Sequence, residues 1–449
     1  MSSRRVLVYG LGVSGLATAT ALLAEGTDVV AADDDPGPRP GASADALGIA
    51  LVCAPDGPTL EALARGVDEI VVSPGVPARH RVFSLAGTVP IVGEVELAWR
   101  RARCPIVAVT GTNGKTTVTT LVRAMLDASG VRAVAAGNIG RPLLDAVGSD
   151  AEVIVAEVSS FQLALTTSFR PAVGTWLNFS ADHLDWHATV EDYRHAKAMV
   201  WANCGPGDVA VANAEDPVVL AASERARARG AELRTFGLEQ GDYHLRGDAL
   251  VGPDGVAVAR TGELARAMPH DLVDALCAVA SASAAGASAE GCRRALLGFG
   301  GLPHRVELVG EANGVRFYDD SKATTPGAVL AAVGGCAPAV LIAGGRNKGL
   351  DLSVLGAAAP GLRGVVAIGE AAPEVAAAFE GLVPVAQEQS MADAVTAAVS
   401  MAGPGDSVVL SPACASFDWY GSYAERGDDF ARWARAVAGF IPAGPRGAR

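Results

Sequence analysis

The chain has 449 residues, half of them hydrophobic and 19% charged, so there is apolar surface for more than one core and no compositional case for disorder. Its 49 acidic against 36 basic residues give a formal charge of −13, and no dense Lys/Arg run is present to neutralise a nucleic-acid backbone, which excludes nucleic acid as an expected partner. The cysteines are scattered, odd in number and never paired as CxxC, which reads as reduced cytoplasmic side chains, and no segment is apolar enough for long enough to span a bilayer.

Along the chain, short β-branched runs alternate with Ala/Leu-rich helical stretches, which predicts an α/β protein of three consecutive α/β domains with mostly parallel sheets. The first, residues 1–95, offers RVLVYG, TDVVAADD, DEIVVSPG and VPIVG as strands. Its opening run after Arg4-Arg5 mimics a secretory signal, but Gly10, Gly12 and Gly15 interrupt it as a G-x-G-x-x-G between strand and helix. With Asp33-Asp34-Asp35 closing the next strand, this suits a Rossmann-like dinucleotide fingerprint, in which bare backbone N–H groups meet a pyrophosphate and an acid meets a ribose hydroxyl. Read alone it fits a nicotinamide dehydrogenase, a binder of another nucleotide diphosphate, or glycines that serve packing only.

The second domain, 96–300, carries the strands PIVAVTG, AEVIVAEVSS, VGTWLNFS, GDVAVAN and LRTFG. Its most specific stretch is VAVTGTNGKTTVTTLV, a buried strand, a turn through Gly111, Thr112, Asn113 and Gly114, and a helix from Lys115, Thr116 and Thr117. Val109 stands where a standard P-loop has its first glycine, which shortens the loop without removing its function: helix N–H groups and Lys115 face a phosphate, and the Thr116 hydroxyl suits Mg²⁺. Glu157 closes an apolar strand, where a carboxylate is costly unless a cation or hydrogen bonds meet it. In the following loop NFSADHLDWH, Asp182 and His183 are further candidates, whereas Asp185 and His187 read as solvated loop residues. A P-loop ATPase acting as a regulatory binding protein also fits this block. The third domain, 301–449, offers GVRFYDD, PAVLIAGG, GVVAIGE and DSVVLSP as strands of a second Rossmann-like unit.

GTNGKTT, GNIG at 137–140, EVSSFQL at 157–163, the Asp182-His183 pair and YRHAKAMVW together resemble the Mur ligases of peptidoglycan synthesis. SPG at 73–75, PHR at 303–305, DDSKATT at 319–325 and LSPACASFDWY at 410–420 are similar to the branch that adds D-glutamate. The resemblance implies an ATP-dependent amide ligase that activates UDP-N-acetylmuramoyl-L-alanine as an acyl phosphate and joins it to D-glutamate, a cytoplasmic monomer with no membrane partner. It implies two Mg²⁺ ions, held by Thr116, Glu157, His183 and a carbamylated Lys197, a residue that otherwise reads as an exposed helical lysine. Lys115, His183, Lys197 and Lys322 are the implied catalytic residues. Gly111 to Thr117, Asn138, Asp271, His304 and Arg305 would bind ATP; Ser14, Leu16, Asp33, Ser73, Pro74, Gly75, Asn138 and Ser159 would bind the UDP substrate; Thr324, Lys348, Ser416, Phe417 and Tyr423 would surround D-glutamate.

Three departures stand out. Asp271 and Asp274 occupy positions where asparagines are expected near adenine, Arg346-Asn347 replaces an acid beside Lys348, and Asp33-Asp34-Asp35 replaces Asp-Thr-Arg. They leave open a family ligase with a different amino acid or a modified muramoyl acceptor.

Overall fold

The computed structural model describes residues 4–35, 37–184 and 186–444. The chain forms two compact units, one of residues 1–179, 186–260 and 274–296, the other of residues 180–185, 261–273 and 297–449.

In the first unit, five parallel strands lie in the order Ala50–Cys53, Asp28–Asp33, Arg5–Tyr9, Glu69–Val72 and Ile91–Val92. Val6 and Val8 pack into one core and Leu7 and Tyr9 into another, so the central strand is covered on both faces and reads as a continuous apolar run rather than an alternation. The glycine motif has a steric cause: a Cβ on Gly15 would stand 1.8 Å from the Gly10 carbonyl oxygen.

A six-stranded parallel sheet follows, in the order Glu232–Phe236, Val209–Asn213, Val173–Trp176, Ile106–Thr110, Val153–Glu157 and Ala133–Gly137. From Ile106–Thr110 the chain builds first to one side and then to the other, and ligands gather where strand order reverses in such sheets, at the carboxyl ends. Both sheets belong to this unit, and the helix Glu94–Arg101 links them. Glu96, fully buried, accepts hydrogen bonds from the N–H groups of Thr167, Ser168 and Phe169.

The second unit is built on seven strands, Val385–Glu388, Leu362–Ile368, Ala339–Gly344, Ser407–Ala413, Val315–Asp319, Glu307–Ala312 and Phe440–Pro442, of which the last two are antiparallel to their neighbours. Leu341, Val365 and Val409 face one core and Ile342, Val366 and Val408 the other.

All the strands expected from sequence are present. The structure adds Ala50–Cys53, Ala133–Gly137, Glu307–Ala312, Val385–Glu388, Phe440–Pro442 and a three-stranded antiparallel sheet within residues 244–260. Among the described residues, no helix is long and apolar enough to cross a membrane.

Candidate active site

The strand Ile106–Thr110 is buried throughout and hands directly to a loop that ends in the helix Lys115–Ala128. Gly114 precedes that helix in a left-handed conformation, φ 81°, and no side chain caps the helix. A Cβ there would stand 2.4 Å from Asp274 Oδ1 and 2.8 Å from Leu177 Cδ2, so both the backbone angle and the space demand glycine. Asn178 shapes the loop from the end of the neighbouring strand: its Oδ1 accepts from the N–H groups of Thr112 and Asn113 at 3.0 and 2.9 Å. Lys115 Nζ donates to the carbonyls of Gly111 and Thr112, both at 3.0 Å. Thr116 and Thr117 lie half-buried on the first helical turn.

The adjacent strand brings Glu157 to the same end of the sheet. The side chain is 2% exposed; its Oε1 accepts from Asn138 Nδ2 at 2.8 Å, and its Oε2 has no hydrogen-bond partner among the described residues. A buried carboxylate oxygen left in this state is destabilising unless a cation meets it. This carboxylate oxygen and the Thr116 hydroxyl are hard-oxygen donors of the kind that suits Mg²⁺. Ser159, just beyond, caps the short helix Ser160–Leu163 through a reciprocal pair with Gln162.

Lys197 is not the exposed helical lysine that the sequence alone suggests. It is 1% exposed, donates to the Gly111 carbonyl at 2.6 Å and lies 4.7 Å from the Tyr193 ring. Tyr193 and Lys197 are four residues apart on the helix Val190–Ala198 and share its buried face, and the Tyr193 hydroxyl is 3.1 Å from Thr112 Oγ1. The structure thus brings Lys115, Thr116, Asn138, Glu157 and Lys197 to the ends of neighbouring elements around one loop.

The solvated reading of His187 is also corrected: it is 3% exposed, its Nε2 is 2.9 Å from Ser160 Oγ, and Phe161, Trp186 and Tyr193 enclose its ring. The aromatic wall removes water, and Ser160 satisfies the nitrogen. Asp185 lies outside the described residues.

At the first sheet, Ser73 Oγ donates to the Gly10 carbonyl at 2.6 Å, and Asp33 accepts from the Leu11 N–H at 2.6 Å and the Asp35 N–H at 2.9 Å. Ser14 and Pro74 are half-buried, whereas Leu16 and Gly75 are exposed.

In the second unit, His183 has a left-handed backbone, φ 56°, and its Nε2 is 3.2 Å from Asp182 Oδ2. His304 is left-handed too, φ 58°, with Nδ1 2.7 Å from Asp319 Oδ2; that bond raises the imidazole's pKa. Arg266 holds the same turn by donating to the carbonyls of Arg305 and Val306, both at 2.8 Å, while its guanidinium pairs with Asp271 at 3.0 Å. Asp271 also accepts from the Met268 N–H, so its carboxylate is engaged before any nucleotide arrives. Lys322 Nζ lies 3.8 Å over the Tyr423 ring.

The segments carrying Thr324, Lys348 and Ser416 adjoin one another: Ala413 N–H donates to Ala323 at 3.0 Å, and Arg346 N–H to Ala415 at 2.9 Å. Ser416 is buried and Phe417 is 63% exposed. Arg346 pairs with Glu370 through two bonds, 2.8 and 3.0 Å, and Asn347 binds Leu350 and Glu374, so the extra cation beside Lys348 is balanced locally.

The Mur ligase middle domain matches residues 109–265, and the Mur ligase, glutamate ligase domain matches residues 304–414. A UDP-N-acetylmuramoylalanine–D-glutamate ligase of Pelotomaculum thermopropionicum is 42% identical over 441 residues, covering 95% of this chain and 96% of its own. The chain belongs to the Mur ligase family. A relative with the same name from Frankia casuarinae is 43% identical over 458 residues, covering 97% of this chain and 94% of its own. Among solved structures, MurF from Acinetobacter baumannii shares the fold, with a TM-score of 0.63 at 20% identity over 96% of this chain and 93% of its own.

Three residues given no role by the sequence patterns shape these segments. Asn178 and Tyr193 brace the loop of residues 111–114, and the buried Arg426 donates to the carbonyls of Ser321 and Cys414. A polar residue closing a buried strand was the available signal for Asn178, the same signal that had marked Glu157.

Proposed function

We propose that this Mur ligase joins the amine of D-glutamate to the L-alanyl carboxylate of UDP-N-acetylmuramoyl-L-alanine, coupled to ATP cleavage, in peptidoglycan precursor synthesis. The meeting of a phosphate loop, a half-paired buried Glu157 and a buried Lys197 at one sheet end is the observation that carries this reading. A carboxylate is a poor electrophile. Its oxygen attacks the γ-phosphorus, ADP leaves, and the acyl phosphate is then attacked by the neutral amine, with phosphate as leaving group and one proton released.

Residues 1–95 are assigned to the UDP moiety, 96–300 to ATP and 301–449 to the amino acid. Lys115 would hold the transferring phosphoryl group, with the N–H groups at the start of the helix Lys115–Ala128 orienting it. Thr116 with Glu157 would hold one Mg²⁺ and His183 would help hold a second, with Lys197 as a carbamate a further anionic ligand; the metals would neutralise phosphate charge. Asn138, His304, Arg305 and Asp271 are assigned to the nucleotide, Lys322 to the reacting phosphoryl or acyl group, and Thr324, Lys348, Ser416, Phe417 and Tyr423 to D-glutamate, whose carboxylates call for a cation and hydrogen-bond donors. We assign the enzyme to the cytoplasm as a monomer.

Phosphate release from ATP with Mg²⁺ and UDP-N-acetylmuramoyl-L-alanine should require D-glutamate and yield a product heavier by one glutamyl unit. Release without a ligated product would sink the reading. Ligation of L-glutamate, L-lysine or meso-diaminopimelate in place of D-glutamate would keep the chemistry and overturn the amino-acid assignment.

A further inference from the structure

In a glycine-rich nucleotide turn, the acid that ends the second strand ordinarily meets the ribose. Here that position is Asp33, and both of its oxygens are already occupied by backbone N–H groups, Oδ2 by Leu11 at 2.6 Å and Oδ1 by Asp35 at 2.9 Å. Asp33 therefore holds the glycine loop in shape from within. The next residue is placed differently. Asp34 has a side chain 53% exposed, and two buried or nearly buried groups fix its carboxylate: the Tyr9 hydroxyl donates to Oδ1 at 2.6 Å, and His80 Nε2 is 3.2 Å from Oδ2.

The proton on that imidazole can be placed from its other bond. His80 Nδ1 accepts from the Val82 N–H at 3.1 Å, capping the short helix Arg81–Leu85, so in the neutral ring the hydrogen sits on Nε2, which lies 3.2 Å from Asp34 Oδ2 and 3.3 Å from the Tyr9 hydroxyl oxygen. Tyr9 is 1% exposed, and burial, then Asp34, raise its pKa, so it stays a donor. Its ring lies 4.9 Å from that of His80. Tyr9 ends the strand that runs into Gly10, so this three-residue cluster sits at the carboxyl end of the first sheet beside the glycine loop.

We infer that Asp34, oriented by Tyr9 and His80, is the carboxylate that accepts the 2′- and 3′-hydroxyls of the acceptor's ribose, and that Asp33 is a structural clamp. The chemistry matches: a carboxylate has about four acceptor sites, two are used by Tyr9 and His80, and those facing solvent suit two adjacent hydroxyl donors. This inference rests on the assignment of the first sheet to the UDP moiety.

The test is calorimetric titration of the full chain with UDP, 2′-deoxy-UDP and 2′,3′-dideoxy-UDP. The wild type should bind UDP more tightly than either deoxy probe by roughly tenfold to a hundredfold, the range of a hydrogen bond to a charged group. In Asp34→Asn that ratio should collapse toward one, and in His80→Phe, which keeps a ring against Tyr9 but loses the donor, it should fall part of the way. The ratio is a readout that mere loosening of the domain would not move, because it compares probes on one protein. An Asp34→Asn variant that keeps the wild-type ratio overturns the inference, as does an Asp33→Asn variant that stays folded, binds UDP and alone loses the ratio. A wild type that binds none of the probes would overturn the UDP assignment itself and this inference with it.

Discussion

Gly114 and Asp320 show how single positions carry opposite kinds of constraint. At Gly114 an added methyl meets both a left-handed backbone and the Asp274 carboxylate 2.4 Å away. Gly114→Ala is expected to cost about 1–3 kcal/mol of stability and to weaken ATP binding at least tenfold, since the loop must shift to admit the methyl group. Thermal unfolding and titration with a fluorescent ATP analogue measure the two effects, and an alanine variant with native affinity would remove the phosphate loop from its assigned role. Asp320 is 6% exposed, accepts from Ser411 Oγ at 2.8 Å and from the Val306 N–H at 3.2 Å, and burial pushes its pKa up to about 7 from 3.8. Below about pH 4 the folded and unfolded chains both hold this proton. As pH rises toward 7 the unfolded chain releases it first, so wild-type stability falls, by roughly 4 kcal/mol for a shift of about three units. Asp320→Asn should lose that slope and gain on the wild type between pH 4 and 7 in urea unfolding; parallel pH profiles would refute the burial argument.

The helix Glu94–Arg101 shows the same physics at the scale of an element. Glu94 and Glu96 lie in its first turn, where the helix dipole favours negative charge. Glu96 is fully buried, yet burial does not win: hydrogen bonds from Ser168 and Thr167, with a further N–H from Phe169, more than offset it and leave the carboxyl below its usual pKa. Its stabilising effect is therefore present above the ordinary glutamate pKa and lost as pH falls. Glu96→Gln sets an amide N–H against these donors, leaves at least one of them unpaired, and should cost roughly 3 kcal/mol at neutral pH. Urea denaturation at pH 7.5 and pH 4 should show the cost shrinking at the lower pH, and a variant as stable as the wild type at pH 7.5 would show that the helix holds residues 167–169 by packing alone. The additional strands lie at this scale too. Ala133–Gly137 reads as AVAAG, which carries neither β-branched enrichment nor alternation, and Ala50–Cys53 is a four-residue edge. Short edge strands owe their pairing to neighbours already in place, which a local pattern does not record.

For the molecule as a whole, the parallel sheets and the strand–loop–helix around Gly114 were legible because buried strands are written as unbroken apolar runs and glycines as steric demands. Glu157 was legible for the same reason, as a charge where none should be. Burial of Lys197 and His187 was not: each depends on partners distant in sequence, Gly111 at one and Ser160 at the other. Nor did the sequence reveal that Asp33 turns inward while Asp34 faces out. These assignments centre three ligands on three different stretches of chain, although His304 and Arg305 of the third are also assigned to the nucleotide, and that arrangement is testable by linkage. A ligand at a hundred times its Kd stabilises the folded state by about 2.7 kcal/mol, and the slowing of amide exchange is greatest where it binds. UDP should therefore slow exchange in peptides over residues 9–16 and 73–75, a non-hydrolysable ATP analogue with Mg²⁺ in those over 107–117 and 153–160, and D-glutamate in those over 344–349 and 411–423. Thr112 and Asn113 are informative within the ATP set. Their N–H groups already bond Asn178, so they should exchange slowly before nucleotide is added, and Asn178→Ala should release them while lowering nucleotide affinity. Protection by the ATP analogue that falls on residues 9–16 and leaves 107–117 unchanged would exchange the roles of the two sheets and require the first glycine motif, not the second, to be the site of phosphoryl transfer.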